Sequence, residues 1–455
     1  MPTNLVIDRP EDLLFGSAPN PVTTRGGLTI GAGEVFAEVN FTLPTMEIME
    51  STWGQVRDHY RDMTSSVLER MKALGASGVV IEFEHLPPMT EQAEWGAEIV
   101  RLIRVELEKA REWGLRGAIR ATPVDSRYGN TPPILRQGEL WKMLRDSFTA
   151  CAEAGADILA IESEGGKEIS DVALVYGDMA GMMLALGVLA PRDSRWLWKE
   201  IRGIADGVPG TLAGGDTACA FANTAMQLAG QQLIPESLAA VVRAMSAVRG
   251  LAAVEGGAVG PWKDCGYEGI VVKAISGIPI SMEGHSATCA HFSPVGNVAS
   301  AACDLWSNES VQNVRLLSGS APAAFAESLA YDCRLMNTAL AQGSEATLQK
   351  LFVDSDAAHS PQAYVLTPAA AIRIAEAIVA EETDYARTRA AARTAVEMIR
   401  EGLDSGALDE FVEPEARWFD RIAADLADLP EDEGDLIAAT EEEYGELYDA
   451  ASYGL

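Results

Sequence analysis

Residues 53–84 decide the fold. Their first part places Trp53, Val56, Tyr60, Met63, Val67, Met71 and Leu74 at a 3-4-3-4-4-3 spacing. That spacing makes one apolar stripe on a helix. Gly75 follows as a C-cap, and then comes Gly78-Val-Val-Ile-Glu-Phe-Glu84, a short and mostly apolar strand. The same unit recurs downstream. A helix, Gly114 and Leu115-Arg-Gly-Ala-Ile-Arg120 form a second copy. A helix over 137–153, Gly155 and Ala156-Asp-Ile-Leu-Ala-Ile-Glu162 form a third. Apolar strands that alternate with amphipathic helices imply a parallel sheet covered on both faces.

Further strands are expected over 34–41, Gly210-Thr-Leu-Ala-Gly214, Leu251-Ala-Ala-Val-Glu255 and Ile278-Pro-Ile-Ser-Met282, with an eighth near 290–320. Neither a G-x-G-x-x-G turn nor a phosphate-binding P-loop occurs. The reading is therefore α/β, a (β/α)8 TIM-type barrel. Residues 1–27 read as an N-terminal arm, 28–321 as the barrel, and 322–455 as a helical, acidic C-terminal region packed on it.

Composition narrows the function. The 455 residues carry 35 Lys+Arg against 67 Asp+Glu, a formal charge of −32. Such a chain repels nucleic-acid phosphates and anionic membrane surfaces. Residues 401–455 hold 18 acids against Arg417 and Arg421 alone. They read as a solvated helical surface, with a docking face for a basic partner as the sharper alternative. No apolar run is long enough to span a membrane, and the N-terminus does not read as a signal peptide. Six cysteines in so long a chain are not a disulfide framework. The expected location is cytoplasmic.

A barrel keeps its active site where strands end and βα loops begin. Polar residues at those ends are Glu82 and Glu84, Arg120 and Asp125, Glu162 and Glu164, Asp216 and Cys219, and Glu255, Lys263, Asp264 and Cys265. Three consecutive units supply Glu162, Cys219 and Cys265. One carboxylate and two thiolates suit Zn2+, with a fourth place left for substrate. Cys151, Cys289, Cys303 and Cys333 read as small buried apolar residues. His85 ends its strand beside Glu84 and is a pocket candidate, as are His285 and His291 in a later loop. No His pair has metal-clip spacing, and no G-x-S-x-G elbow supports a serine hydrolase.

Several segments resemble the zinc-containing subunit of methanol:corrinoid methyltransferases. They are Asn40-Phe-Thr-Leu-Pro-Thr45, Leu86-Pro-Pro-Met-Thr90, Ile161-Glu-Ser163 with Gly165-Gly-Lys-Glu168, the stretch Gly214 to Asn223, and Gly260-Pro-Trp-Lys-Asp-Cys-Gly-Tyr-Glu268. The resemblance runs from about Pro10 to the C-terminus. It implies a (β/α)8 barrel with zinc held by Glu162, Cys219 and Cys265, and Glu164 as the rival carboxylate. It implies that zinc acts as a Lewis acid on methanol while Co(I) of a corrinoid, carried by a separate corrinoid-binding protein, attacks the methyl carbon. The products would be methyl-Co(III) and water. Asp264, Glu84 and His85 are the candidate proton donors, although Asp264 also suits a helix N-cap. The same chemistry on a methoxylated donor, or a non-catalytic barrel that only binds the corrinoid protein, are the alternatives. A homodimer carrying two corrinoid subunits is the implied assembly.

Overall fold

The computed structural model describes residues 4–43, 46–216, 218–263, 265–284, 294–311, 315–316 and 319–455. Seven parallel strands form a curled sheet. In chain order they are β3 (Phe36–Thr42), β4 (Gly78–Glu84), β5 (Arg116–Thr122), β6 (Ile158–Ile161), β7 (Leu212–Asp216), β8 (Ser281–Glu283) and β9 (Leu305–Val311). They neighbour one another in the order β7-β6-β5-β4-β3-β9-β8. The gap between β7 and β8 is filled by residues 259–263. The Val259 N–H donates to the Ala213 carbonyl at 2.8 Å, and Trp262 forms a parallel bridge with Ile280. The sheet thus closes with eight staves, as a (β/α)8 barrel.

Strand alternation sorts the side chains into two cores. Val79, Ile81 and Phe83 of β4 join the large core under the helices, with Val39, Phe41, Ile119 and Ile161. Phe36, Val80, Ala118, Ile158 and Leu305 have the opposite phase and form a second core inside the barrel. Higher on the same inward rows the residues turn polar: Glu38, Glu82, Glu84, Arg120 and Thr122. The apolar layer therefore plugs the bottom, and charge accumulates toward the C-terminal mouth.

Three expectations change. The stretch read as an arm, 1–27, contains β1 (Ser17–Thr23), which forms an antiparallel hairpin with β2 (Thr29–Ala32) just beyond it. Leu28 and Ile30 of this hairpin complete the inner bottom core. Leu251–Glu255 is not a strand but the last turns of the helix Glu236–Gly256. A five-residue apolar window cannot separate a buried helix from a buried strand. That helix is buried on nearly every side, so it lacks the polar face that would have betrayed its period. Among the described residues it is the one helix long and apolar enough to cross a membrane, and 94% of its apolar window is buried in the fold. Finally, the helix Ala321–Gln342 packs against β3, β9 and the helix Trp53–Ala73. It is the barrel's own eighth helix, so a boundary at 322 cuts through the repeat.

The remaining C-terminal helices wrap the barrel flank. Pro368–Val379 packs on Gly269–Ser276, while Asp384–Ser405 and Glu413–Asp428 pack on Glu236–Gly256. Part of the acidic surplus has local work here. The Glu415 carboxylate accepts the Glu236 and Ser237 N–H groups at the start of the buried helix, at 3.2 and 2.8 Å. The chain end returns to the mouth, where the Gly166 N–H donates to the Tyr453 hydroxyl at 2.9 Å.

Candidate metal centre

The barrel interior is built of charge in layers. Glu38 and Arg120, both fully buried, pair at 2.6 Å, and Arg120 also reaches the Pro261 carbonyl at 2.9 Å. Above them the Lys263 ammonium contacts Glu84 at 2.5 Å, Glu162 at 3.0 Å and Glu82 at 3.1 Å. Thr122 donates to Glu82 at 2.7 Å, and Asn40 to Glu84 at 2.8 Å. At the mouth, one carboxylate oxygen of Glu162 and the sulfurs of Cys219 and Cys265 all lie within 4.8 Å of one another.

Each of these three side chains is placed by its own loop. Glu162 follows β6. The next residue, Ser163, is locked by Asp216, whose carboxylate accepts the Ser163 N–H at 3.0 Å and its hydroxyl at 2.7 Å. Trp198 and Arg249 also donate to Asp216, at 3.1 and 2.7 Å. Cys219 follows β7. There the Ala218 N–H donates to Glu268 at 2.8 Å, and the Asn223 amide donates to the Cys219 sulfur at 3.3 Å. Gly215 precedes it with φ +150, and a Cβ there would lie 2.6 Å from the Trp262 ring. Only glycine lets the two loops approach this closely. Cys265 lies in the loop after the sixth stave, whose Gly266 carbonyl is held by Arg243 at 2.8 Å.

The two sulfurs are in bonding contact, with their Cα atoms 5.7 Å apart. Two cysteines so placed can share a disulfide or share a metal. A third group, the Glu162 carboxylate, stands beside them. A carboxylate gains nothing from facing a disulfide, but it completes a ligand set with two thiolates. Burial pushes Glu162 up to about 7; Lys263 opposes this, and Glu84 and Glu82 add to it. A cation at the cluster would relieve that cost. The donor set therefore fits a borderline-soft divalent cation such as Zn2+.

The other candidates fall in different places. Glu84 lines the mouth. Burial alone would raise it, but Lys263 and Asn40 outweigh burial and hold it below the usual carboxylate range. It is therefore an anion and an acceptor, not a stored proton. Glu164 is not in the cluster; its N–H donates to Asp125 at 3.1 Å. Asp264, His285, His291 and Cys289 lie outside the described residues. His85 requires correction. It has the outward phase of Phe83, so its ring leaves the barrel and packs under the helices. It stacks on Phe83 with centroids 5.1 Å apart, beside Ser147 and Cys151. It is not a pocket residue.

Burial pushes His85 down to about 3, from an ordinary 6.5. Between those values the unfolded chain binds a proton that the folded chain does not. Stability should therefore fall as pH drops from about 6.5 toward 3. Urea midpoints at pH 7 and pH 5 test this. The acid-side loss should be smaller in His85→Gln than in the wild type, and equal losses would contradict it.

Two supporting residues were not anticipated, Arg243 and Arg249. Their signal lay in the sequence: two arginines in an otherwise Ala/Val-rich helix demand buried acceptors. Comparison with known proteins now bears on the class. Residues 2–454 match the family described as methanol-cobalamin methyltransferase B subunit. The chain belongs to that family. A methanol–corrinoid protein co-methyltransferase of Methanosarcina barkeri is 39% identical over 405 residues, 88% of this chain and 87% of its own. A chain in the crystal structure of the methanol:cobalamin methyltransferase complex MtaBC from Methanosarcina barkeri superposes with a TM-score of 0.94 at 36% identity. The match covers 100% of this chain and 99% of that one. As a member of the methanol-cobalamin methyltransferase B-subunit family, this TIM-type barrel is a methyltransferase.

Proposed function

We propose that the chain transfers the methyl group of methanol to Co(I) of a corrinoid carried by a partner protein, with Zn2+ held by Glu162, Cys219 and Cys265. The observation that carries this reading is the convergence of those three donors at the barrel mouth in a chain of this family. Zinc would supply Lewis acidity toward the methanol oxygen, easing departure of a poor leaving group. The protein's residues do the rest. The thiolates and Glu162 set the formal charge of the ligands at about −3, by their ionised forms. Lys263 offsets one charge from beneath. The buried layers of Glu38, Arg120, Glu82 and Lys263 close the barrel below the site and keep bulk water out on that side.

The balance is CH3OH + Co(I) + H+ giving CH3–Co(III) + H2O, so a proton must reach the departing oxygen. His85 is excluded by its position outside the barrel. Glu84 is held as an anion, which suits it to orient the methanol hydroxyl rather than to protonate it. The assembly inferred from the resemblance, two barrels with two corrinoid subunits, and a cytoplasmic location belong to this reading.

The test uses the whole protein. Purified chain should contain about one zinc per subunit, as one three-donor site implies. Mixed with reduced corrinoid protein and methanol, it should produce methylcobalamin absorbance. A metal-free, inactive protein would overturn the reading. Turnover with a methoxylated compound but not with methanol would keep the centre and change the substrate.

A further inference from the structure

We infer that Lys263 keeps the carboxylate of Glu84 off the metal, and so preserves the open coordination position that substrate needs. The inference rests on the zinc reading above. Lys263 is 2% exposed, yet its ammonium faces three carboxylates. The ammonium donates to Glu84 and Glu162 and pairs with Glu82 at 3.1 Å. The same nitrogen thus binds a metal ligand, Glu162, and a non-ligand, Glu84, at 3.0 and 2.5 Å. These two acids therefore stand within a side chain's reach of the same cation.

Nothing in the chemistry of a carboxylate makes Glu162 a ligand and Glu84 a bystander, because zinc accepts either. What separates them is their partners. Glu84 Oε1 takes both the Lys263 ammonium and the Asn40 amide. Glu162 takes the ammonium on Oε1 and still presents a carboxylate oxygen to the two sulfurs. The buried Oε2 of Glu82 has no partner among the described residues. The site thus holds more acid than the metal should use. Lys263 is the one cation that contacts all three acids among the described residues. Without it, the excess charge would collapse onto the zinc and fill its fourth place. Lys263 is in this sense a positioning residue. It acts through the acids and does not touch the methyl group.

Lys263→Met, prepared with zinc, tests this. X-ray absorption should show one more oxygen neighbour on zinc than in the wild type. Cobalt(II) substitution should show weakened visible bands, as expected when a four-coordinate ion gains a ligand. Zinc content should be unchanged, while methyl transfer falls about 10- to 100-fold, the usual effect of losing an outer-shell partner. Adding Glu84→Gln to Lys263→Met should restore the four-neighbour shell. If the single variant folds poorly, zinc should raise its melting temperature more than it raises that of the wild type, because the metal then takes over the lysine's role. A variant with an unchanged shell, or one that zinc cannot rescue, overturns the inference. Absence of zinc from the wild type would instead overturn the proposed function itself.

Discussion

Cys265→Ala is expected to lose its zinc on dialysis and to fall in methyl transfer by about a thousandfold, while keeping its fold. Metal Lewis acidity is worth several kcal/mol, and about 4 kcal/mol corresponds to that factor. Cys265 is 1% exposed and comes from a different loop than Cys219 and Glu162. Among the described residues no neighbouring thiol can replace it, since Cys151, Cys303 and Cys333 are buried elsewhere in the core. Removing its sulfur leaves a carboxylate and one thiolate, too few donors for a stable site. Metal analysis and a methylcobalamin assay measure the two effects. Thiol titration with and without a chelator adds an independent readout. In the zinc form, Cys219 and Cys265 should become reactive only once the metal is removed. If wild-type protein instead contains no zinc and the two residues are oxidised to a disulfide, the ligand assignment fails. The carboxylate is assigned the same way. Glu162→Gln should lose zinc and Glu164→Gln should keep it, because only Glu162 stands in the cluster.

Much of this arrangement is legible in the sequence. The repeat of amphipathic helix, glycine cap and apolar strand identified the barrel, because each unit must bury both faces of its strand. Strand ends then named the polar residues of the mouth. One misreading arises because burial on all sides erases periodicity. The helix Glu236–Gly256 has no exposed stripe, so its last turns resembled a strand. The real sixth stave, 259–263, is short, flanked by Gly260 and Pro261, and held by few backbone bonds, so it left little trace. His85 is a different kind of miss. In β4, the even positions Val80, Glu82 and Glu84 face the barrel axis. Strict alternation would have sent residue 85 to the helix layer. Lys263 was visible as a strand-end cation, but its three partners come from β4 and the loop after β6. Their convergence is a property of the closed barrel and cannot be read from spacing.

Arg127→Met should be among the most damaging single changes to stability, at about 3–5 kcal/mol, the cost of breaking a buried ion pair from one side. Arg127 is fully buried between Asp125 and Asp193. It donates to Asp125 at 2.8 and 2.7 Å and to Asp193 at 2.8 Å through two nitrogens. Both carboxylates are shielded from water, so methionine would leave two acids facing each other without their cation. The clamp also reaches the mouth. Asp125 accepts the Glu164 N–H at 3.1 Å, and a Cβ on Gly165 would lie 2.5 Å from Asp193. The loop after Glu162 is therefore seated on this triad, while Glu162, Cys219 and Cys265, the proposed zinc donors, are not part of it. Arg127→Met should lower the urea midpoint at a nearly unchanged slope, and any folded fraction should still retain zinc. Arg127→Lys should fall between the two, since an ammonium keeps the charge but cannot fork onto both acids. A loss below about 1 kcal/mol, the scale of an exposed ion pair, would show that the triad does not carry the loop.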